Sequence, residues 1–93
     1  MALVFEWDEV KAGENLRKHR VSFDEAQTVF LDPLAITIQD PDHSADEDRF
    51  IELGESAQER IRVVVHTERS RRIRLIRARK ASRLERKQYE EAS

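Results

Sequence analysis

Apolar residues near the amino terminus recur first at the spacing of a strand and then at that of a helix. Leu3–Trp7 predicts a short strand. Val10–His19 predicts a helix, because Ala12, Leu16 and His19 recur on one side at helical spacing. The chain therefore begins with a strand followed by a helix.

A second helix is predicted directly after the first. Ser22 is followed three residues later by Glu25, the pattern of a capping box in which each side chain bonds the other's backbone N–H. The helix should run from about Phe23 to Phe30. Asp32-Pro33 ends it, because the residue before a proline disfavours helical geometry.

Four more strands and a last helix fill the rest of the chain. The turns between the strands are short, which implies antiparallel neighbours. Ser82 and Glu85 repeat the capping-box pattern and begin a helix that reaches about Glu91. The predicted fold is an α+β domain with a single antiparallel β-sheet, two N-terminal helices and one C-terminal helix. The four strands are predicted at Leu34–Gln39, Arg49–Glu55, Ile61–Glu68 and Arg72–Arg79.

Length and composition limit the class of protein. Its 93 residues make one domain over residues 1–93. No apolar run approaches the roughly 20 residues of a membrane span, and Glu6 interrupts the apolar start before it forms a signal peptide. The chain has no cysteine, and His19, His43 and His66 lack close ligand spacing, so no disulfide, metal or cofactor is predicted. We expect a cytoplasmic protein without membrane contact.

The net charge of −2 conceals two parts of opposite sign. Residues 1–59 carry 5 Lys/Arg and 15 Asp/Glu, whereas residues 60–87, the basic segment, carry 12 Lys/Arg and 2 Asp/Glu. Most of these basic residues are arginine, whose planar fork pairs with phosphate or carboxylate through two hydrogen bonds. One interpretation is a site for a polyanion. The other is that the basic segment pairs with the acidic part inside one fold.

The last predicted strand changes its alternation halfway. Ile73 and Leu75 face the core, but Arg77 and Arg79 then fall on the same side of the strand. Either both faces of the strand are mixed or a β-bulge shifts the register. Because the strand has two faces, we expect that the arginines cannot all serve one site. Arginines at the rim of a cleft, beside the free amides at the start of the last helix, suit the backbone of RNA.

RNA cleavage requires few protein groups. The 2′-hydroxyl can attack its own phosphate, so the protein supplies positioning, a base, an acid and charge stabilisation, and needs no metal ion. His66, which follows the apolar Val63–Val65, is the predicted proton-transfer group, because histidine titrates near neutral pH. The alternative is a histidine whose hydrogen bonds are simply satisfied at a sheet edge.

An ordered set of short motifs resembles the BrnT family. The first part of the set is Phe5-Glu6-Trp7-Asp8, Asn15-Leu16-Arg17-Lys18-His19, Val21-Ser22-Phe23-Asp24-Glu25-Ala26, Asp32-Pro33-Leu34 and Asp40-Pro41-Asp42-His43-Ser44. The second part is Val63-Val64-Val65-His66-Thr67-Glu68, Arg72-Ile73-Arg74-Leu75-Ile76, Ala78-Arg79-Lys80-Ala81 and Tyr89-Glu90. The likeness covers Phe5 to Glu91, nearly the whole chain.

BrnT proteins are toxins of type II toxin–antitoxin modules, and the resemblance carries expectations for this chain. It implies a RelE-like fold and a ribosome-independent endoribonuclease that arrests translation. It also implies a BrnA antitoxin whose ribbon-helix-helix part binds operator DNA, so that the toxin meets that DNA only through its partner. Three positions depart from the family pattern: Arg77 replaces a small residue, Ser70-Arg71 replaces a common Gly-Asp, and Arg20 replaces a common glycine between the first two helices.

Roles in RNA cleavage are assigned from residue chemistry and position. Arg79 is predicted to bind the scissile phosphate, and His66 to transfer a proton. Arg74 or Arg77 is a second phosphate clamp, and Glu68 or Tyr89 is the predicted partner of His66. The residues predicted to hold flanking RNA are Arg72, Lys80, Arg83, Arg86 and Lys87. The alternatives are a non-catalytic module that binds nucleic acid or a partner, and a structural subunit whose charges cancel internally.

Overall fold

The computed structural model describes residues 3–42 and 48–92, and within them five strands and three helices follow the predicted order. His43 lies outside the described residues. None of the described helices is long and apolar enough to cross a membrane. The elements are β1 (Val4–Glu6), α1 (Glu9–His19), α2 (Phe23–Thr28) with a short 3₁₀ turn (Val29–Leu31), β2 (Ile36–Gln39), β3 (Arg49–Glu55), β4 (Ile61–Arg69), β5 (Arg72–Lys80) and α3 (Arg83–Ala92).

The strands form one sheet in the order β1-β5-β4-β3-β2. The predicted antiparallel pairing holds from β2 to β5, whereas β1 runs parallel to β5, with Val4 opposite Arg72 and Glu6 opposite Arg74. Almost the whole chain lies between β1 and β5, so the rule that short turns join antiparallel neighbours does not govern this pair. The α+β class is confirmed, and the sheet is mixed. Beyond Arg74, β5 continues past the end of β1 as the sheet edge.

A β-bulge explains the change of alternation in β5. His66 pairs with Leu75 and Val65 with Arg77, so Ile76 is the extra residue. Alternate residues of a strand point to the same face, so the bulge brings four arginines onto one face, which we call the arginine face. They pair in a single alternating series with β4, namely Arg72–Arg69, Arg74–Thr67, Arg77–Val65 and Arg79–Val63. Of the two alternatives drawn from the sequence, the bulge is the one confirmed. The expectation that the two strand faces keep the arginines from sharing one site is wrong for these four, because the bulge puts them on one face.

Apolar residues pack on both faces of the sheet. The face opposite the arginine face is covered by α1, α2 and the 3₁₀ turn, and α3 packs on the arginine face beside β3. The larger core contains Val21, Phe23, Ala26, Val29, Val64, Ile73, Leu75 and Ala78. The smaller core, under α3, contains Leu53, Val63 and Tyr89, with Ile36, Ile51, Ile61 and Ala81 packed against it. The sheet thus lies between α1 and α2 on one face and α3 on the other.

The two predicted capping boxes form to different extents. Ser82 and Glu85 bond each other's backbone N–H, with the Glu85 N–H donating to Ser82 Oγ at 3.1 Å and the Ser82 N–H donating to Glu85 Oε1 at 2.8 Å. At α2, Ser22 Oγ accepts the N–H of Glu25 at 3.0 Å. The carboxylate of Glu25 does not complete that box, because it turns toward β4 and binds side chains there.

Arg20 ends α1 in a left-handed backbone conformation, with φ 60° and ψ 28°. Its N–H donates to the Leu16 carbonyl at 2.9 Å, which closes the helix. Glycine adopts this conformation freely, whereas an L side chain costs about 1–2 kcal/mol there. Arg20 therefore occupies a turn whose backbone conformation favours the glycine that it replaces.

Candidate nucleic-acid interface

The arginine face carries guanidinium groups with few counter-charges. Within residues 3–42 and 48–92, Arg72 and Arg77 are exposed and form no ion pair. Arg74 Nη1 lies 3.9 Å from Glu6 Oε2, and both side chains are substantially exposed. Exposed pairs of this kind contribute little free energy, because water screens them. The face therefore retains positive charge that is available to a polyanion.

Arg79 is the exception on this face, because α3 supplies it with a carboxylate. Its Nη1 and Nη2 donate to Glu85 Oε1 and Oε2 at 2.8 and 2.9 Å, and Nη1 also donates to the Lys80 carbonyl at 3.2 Å. The hydrogen bonds from Arg79 lower the pKa of Glu85 to about 2, and those to Glu85 raise the pKa of Arg79. The partner of Arg79 is thus in the last helix and not in the acidic part of the chain.

His66 is fully buried, on the side of the sheet away from the arginine face. Its ring packs between Phe30 and Phe50, at centroid distances of 4.8 and 5.7 Å. Neither ring nitrogen has a hydrogen-bond partner among the described residues. The carboxylate oxygens of Glu52 and Glu68 lie 3.8 and 4.0 Å from the ring. Glu68 therefore lies near His66, as predicted, but RNA has no access to the buried ring. The alternative of a histidine with satisfied hydrogen bonds at a sheet edge does not hold either, because both ring nitrogens lack a partner among the described residues.

Tyr89 anchors α3 to the end of the 3₁₀ turn. Its hydroxyl donates to Asp32 Oδ2 at 2.5 Å, and the side chain is buried. This bond raises the pKa of Tyr89 to about 12. Asp32 also accepts the N–H of Glu55 at 2.8 Å, so the tyrosine is tied to a carboxylate that holds the sheet. The structure does not bring Tyr89 together with His66.

The residues predicted to hold flanking RNA divide between two places. Lys80 pairs with Arg62 across the sheet, so it falls in the opposite alternation from the arginine face, at the exposed end of β5. Arg83, Arg86 and Lys87 lie exposed on α3. The described part of α3 pairs Lys87 only with Glu91, at 4.0 Å, and both side chains are largely exposed. These groups extend the positive surface beyond β5.

Two arginines of the basic segment serve the fold instead of a surface. The Glu25 carboxylate is 2% exposed and accepts hydrogen bonds from Arg60 Nη2 at 2.9 Å, Arg62 Nε at 3.2 Å and Ser56 Oγ at 2.8 Å. Burial alone would raise the pKa of Glu25, but these bonds and the charge of Arg62 bring it below its ordinary value. Pairing between the basic and acidic parts of the chain is real here, at the amino end of β4.

The buried amide of Asn15 joins α1 to the free edge of β5. Its Nδ2 donates to the carbonyls of Val21 and Ala78, both at 2.9 Å, and its Oδ1 accepts the Ala78 N–H at 3.1 Å. The amide thereby satisfies backbone groups that a neighbouring strand would otherwise bind. Sequence reasoning missed this contact, although Asn15 lies three residues after Ala12 and so shares the buried side of the helix.

Basic side chains of α1 therefore lie beside the arginines of β5. Lys11, Lys18 and His19 line a cavity of about 200 Å³ together with Arg77, which borders both this cavity and the arginine face. His19 is half-buried in the last turn of α1. Partial burial lowers the pKa of His19, and the positive charges of Lys18, Arg77 and Arg79 lower it further.

No group of three or more His, Asp or Glu side chains is placed to hold a metal ion within residues 3–42 and 48–92. The candidate site is therefore described by its arginines, lysines and one accessible histidine. All of them lie on β5, on α3 or on the turns of α1 nearest β5.

Comparison with known proteins places the chain in a family. The chain is similar to the Brucella abortus ribonuclease toxin BrnT, whose crystal structure it matches with a TM-score of 0.67 and 24% identity over 88% of this chain and 100% of that chain. This likeness confirms the fold. No curated protein matches the chain. The family model of the ribonuclease toxin BrnT of type II toxin–antitoxin systems matches residues 7–85, from the end of β1 into α3. The chain therefore belongs to the BrnT family of ribonuclease toxins.

Proposed function

We propose that the chain is an endoribonuclease that cleaves RNA phosphodiester bonds without a metal ion and that the RNA backbone lies along the arginine face. The observation that carries the proposal is the β-bulge at Ile76, which gathers Arg72, Arg74, Arg77 and Arg79 on one side of β5. A row of guanidinium groups with few counter-charges matches the charge of successive phosphates, and each fork can bind a phosphate through two hydrogen bonds. Membership of a ribonuclease toxin family supports the same conclusion.

In the proposed reaction, Arg77 is the leading ligand of the scissile phosphate. It is exposed and has no ion pair in the described residues, so no bond need break before phosphate binds. Arg74 is the second clamp, and Arg79 joins them when phosphate replaces Glu85 as its partner. Arginines fixed around a phosphate stabilise the charge that develops as the 2′-hydroxyl attacks, which a single good donor supports by about 3–4 kcal/mol.

Outer contacts complete the proposed path of the RNA. Lys80 and Arg83 flank the reacting phosphate, and Arg72, Arg86 and Lys87 lie farther along the positive surface. Cleavage of cellular RNA in the cytoplasm would arrest translation. Such activity requires neutralisation, which a type II system provides through a protein antitoxin.

The test of cleavage is incubation of the purified protein with an RNA oligonucleotide in excess EDTA, followed by separation of the fragments. We expect fragments that end in 2′,3′-cyclic phosphate and about a hundredfold or more slower formation with Arg77→Ala. Arg86→Ala, which removes only an outer contact on α3, should cause a much smaller loss of rate. Arg79→Ala should also lose cleavage, but it removes an anchor of α3, so Arg77→Ala is the sharper variant. RNA that binds but stays intact would contradict cleavage and favour the non-catalytic binding module.

The proposed antitoxin, a BrnA-like protein, docks on the arginine face beside α3. An apolar cavity of about 410 Å³ lies there, lined by isoleucines of β2 and β3 and bordered by Glu85 and Gln88 of α3. Ile38, on the edge strand β2, is 53% exposed. A partner that fills this cavity with apolar side chains and presents carboxylates to the neighbouring arginines matches both the shape and the charge of the face. Operator DNA would then contact the antitoxin and not this chain.

Co-expression with the antitoxin followed by size exclusion tests this docking site. A standard interface of roughly 1,600 Å² should hold one complex at micromolar concentration. Ile38→Glu should weaken that complex, because it places a charge in the apolar cavity. The matched control is Leu31→Glu, which alters an exposed apolar residue of the 3₁₀ turn, outside the cavity. Equal binding by both variants would place the antitoxin elsewhere.

A further inference from the structure

We infer that the cavity between α1 and β5 receives the ribose of the cleaved nucleotide and that His19 takes the proton from its attacking 2′-hydroxyl. This inference rests on the proposed ribonuclease function and names its general base. It assigns to α1 a part in the reaction, whereas the sequence pointed only to β4, β5 and α3. It also replaces His66, which is sealed in the core.

The cavity places His19 next to the proposed ligand of the scissile phosphate. The cavity of about 200 Å³ is lined by His19 and Lys18 of α1 and by Arg77 of β5. Arg77 also belongs to the arginine face, so a phosphate held by this side chain lies at the mouth of the cavity. The 2′-oxygen is separated from its own phosphorus by only a few bonds, so a base for this hydroxyl must lie next to the phosphate ligand. Among the described histidines, His19 is in that place and His66 is not.

Asn15 fixes His19 in place relative to the arginines of β5. Asn15 binds both backbone groups of Ala78, the residue between Arg77 and Arg79, through bonds of 2.9 and 3.1 Å. His19 follows Asn15 by one helical turn, so the same amide fixes the distance between the histidine and the two arginines. Fixed geometry of this kind is what lowers the barrier of an intramolecular attack. Asn15 is accordingly a positioning residue.

The charges around His19 favour the neutral form of its ring. The charged groups that face His19 are Lys11, Glu14 and Lys18 from α1, and Arg77 and Arg79 from β5. Burial and the positive neighbours lower the pKa of His19, so the ring is largely neutral at pH 7 and able to accept a proton. Once the ring is protonated, the bound phosphate offsets the repulsion from these cations.

The step balances as an intramolecular transfer. His19 accepts the proton of the 2′-hydroxyl while the 2′-oxygen forms a bond to phosphorus. The bond from phosphorus to the 5′-oxygen of the next nucleotide breaks, and this oxygen takes a proton from water. The products are a 2′,3′-cyclic phosphate and a 5′-hydroxyl, and His19 returns its proton to solvent.

The experiment is the pH–rate profile of RNA cleavage by wild type and by His19→Gln. The wild-type rate should fall on acidification, with an apparent pKa below the ordinary histidine value of 6.5. His19→Gln should be slower by about a hundredfold or more at pH 7 and should lose this acid limb. Binding of the same RNA with 2′-O-methyl riboses, which cannot react, should change less than threefold. His66→Leu, a histidine variant away from the site, should keep the acid limb.

The outcomes separate this inference from the function on which it rests. If wild type leaves RNA intact, the ribonuclease proposal fails and the role of His19 fails with it. If wild type cleaves and His19→Gln keeps both rate and acid limb, the ribonuclease proposal stands and the inference is overturned. A loss that is confined to RNA affinity would likewise overturn the proton-transfer role, because it would make His19 a binding residue only.

Discussion

Arg62 and Arg77 come from the same basic segment and meet opposite surroundings. Arg62 is 5% exposed and shares the carboxylate of Glu25 with Arg60. Arg77 is exposed and has no ion pair within the described residues. The difference arises from alternation, because Arg62 points toward α2 whereas the bulge turns Arg77 to the arginine face. Positive charge along a sequence therefore does not separate a guanidinium that stabilises the fold from one that is available for phosphate.

Removing the negative charge of Glu25 should have the largest effect on stability, because it leaves the buried Arg62 without a charged partner. Glu25→Gln leaves Arg62 buried beside a neutral amide, so we expect the free energy of unfolding to fall by about 3–5 kcal/mol. Urea denaturation at pH 7 measures this loss. The control is Glu90→Gln on exposed α3, which should stay within about 0.5 kcal/mol of wild type. Equal stability of the two variants would contradict a structural role for the Arg60–Arg62 pair.

The same cluster has a defined pH dependence. The pKa of Glu25 is lower in the folded chain than its ordinary value of 4.5, so its ionised form favours folding. The contribution is complete above that value and is lost as the pH falls below it through the folded pKa. Wild type should therefore lose stability more steeply than Glu25→Gln in acid. Parallel acid denaturation curves would show that another carboxyl governs this range.

Arg79 is intermediate between the buried, paired Arg62 and the exposed, unpaired Arg77. Its side chain is partly exposed, and Glu85 occupies its guanidinium. Glu85→Gln removes the carboxylate that occupies Arg79, so the affinity for RNA should rise by about 1 kcal/mol, roughly fivefold in Kd. Each phosphate contact contributes about −0.7 to the slope of log affinity against log salt, so a wild-type slope near −3 corresponds to about four contacts. Glu85→Gln should make the slope steeper by up to about 0.7, which corresponds to one further phosphate contact at Arg79. Fluorescence anisotropy with a labelled RNA over a salt series measures both quantities.

The salt dependence of wild type also tests the hypothesis of a structural subunit whose charges cancel internally. A slope near zero would mean that the positive charges are cancelled within the fold, as the third interpretation of the sequence requires. An unchanged affinity in Glu85→Gln would make Arg79 an anchor of α3 alone. When the wild-type slope is near −3, Arg77→Ala should reduce its magnitude by about 0.7, whatever the result for Glu85→Gln, because one phosphate contact is then lost.

Local patterns in the sequence were sufficient for most of the fold. The helices, the strand order along the chain and the Ser82–Glu85 box depend on residues close in sequence, and all of them are confirmed. Contacts between residues that are distant in sequence could not be predicted. No turn residues in the sequence indicate the parallel pairing of β1 with β5, and Glu25 contacts Arg62 only because α2 packs on the sheet.

The candidate site followed the same division. The sequence of β5 shows that its alternation of apolar and basic residues changes halfway, but only the bulge at Ile76 determines which face the arginines share. The burial of His66 was not readable from its position after three valines, because the phenylalanines that enclose it come from the 3₁₀ turn and from β3. His19 could not be identified from the sequence, since its proximity to Arg77 depends on the amide bridge of Asn15 across the edge of the sheet.

Arg20 provides a third kind of arginine, one whose backbone matters more than its charge, and its replacement should have the smallest effect. Its φ of 60° disfavours any side chain, so Arg20→Gly should raise the free energy of unfolding by about 0.5–1 kcal/mol, after the greater entropy of glycine in the unfolded chain. Arg20→Ala removes the same charge and keeps the strain, so it should give no gain. Urea denaturation of both variants, with RNA anisotropy alongside, separates the two causes. If Arg20→Ala stabilised the chain as much as Arg20→Gly, repulsion within the basic end of α1 would be the cause, and the backbone explanation would fail.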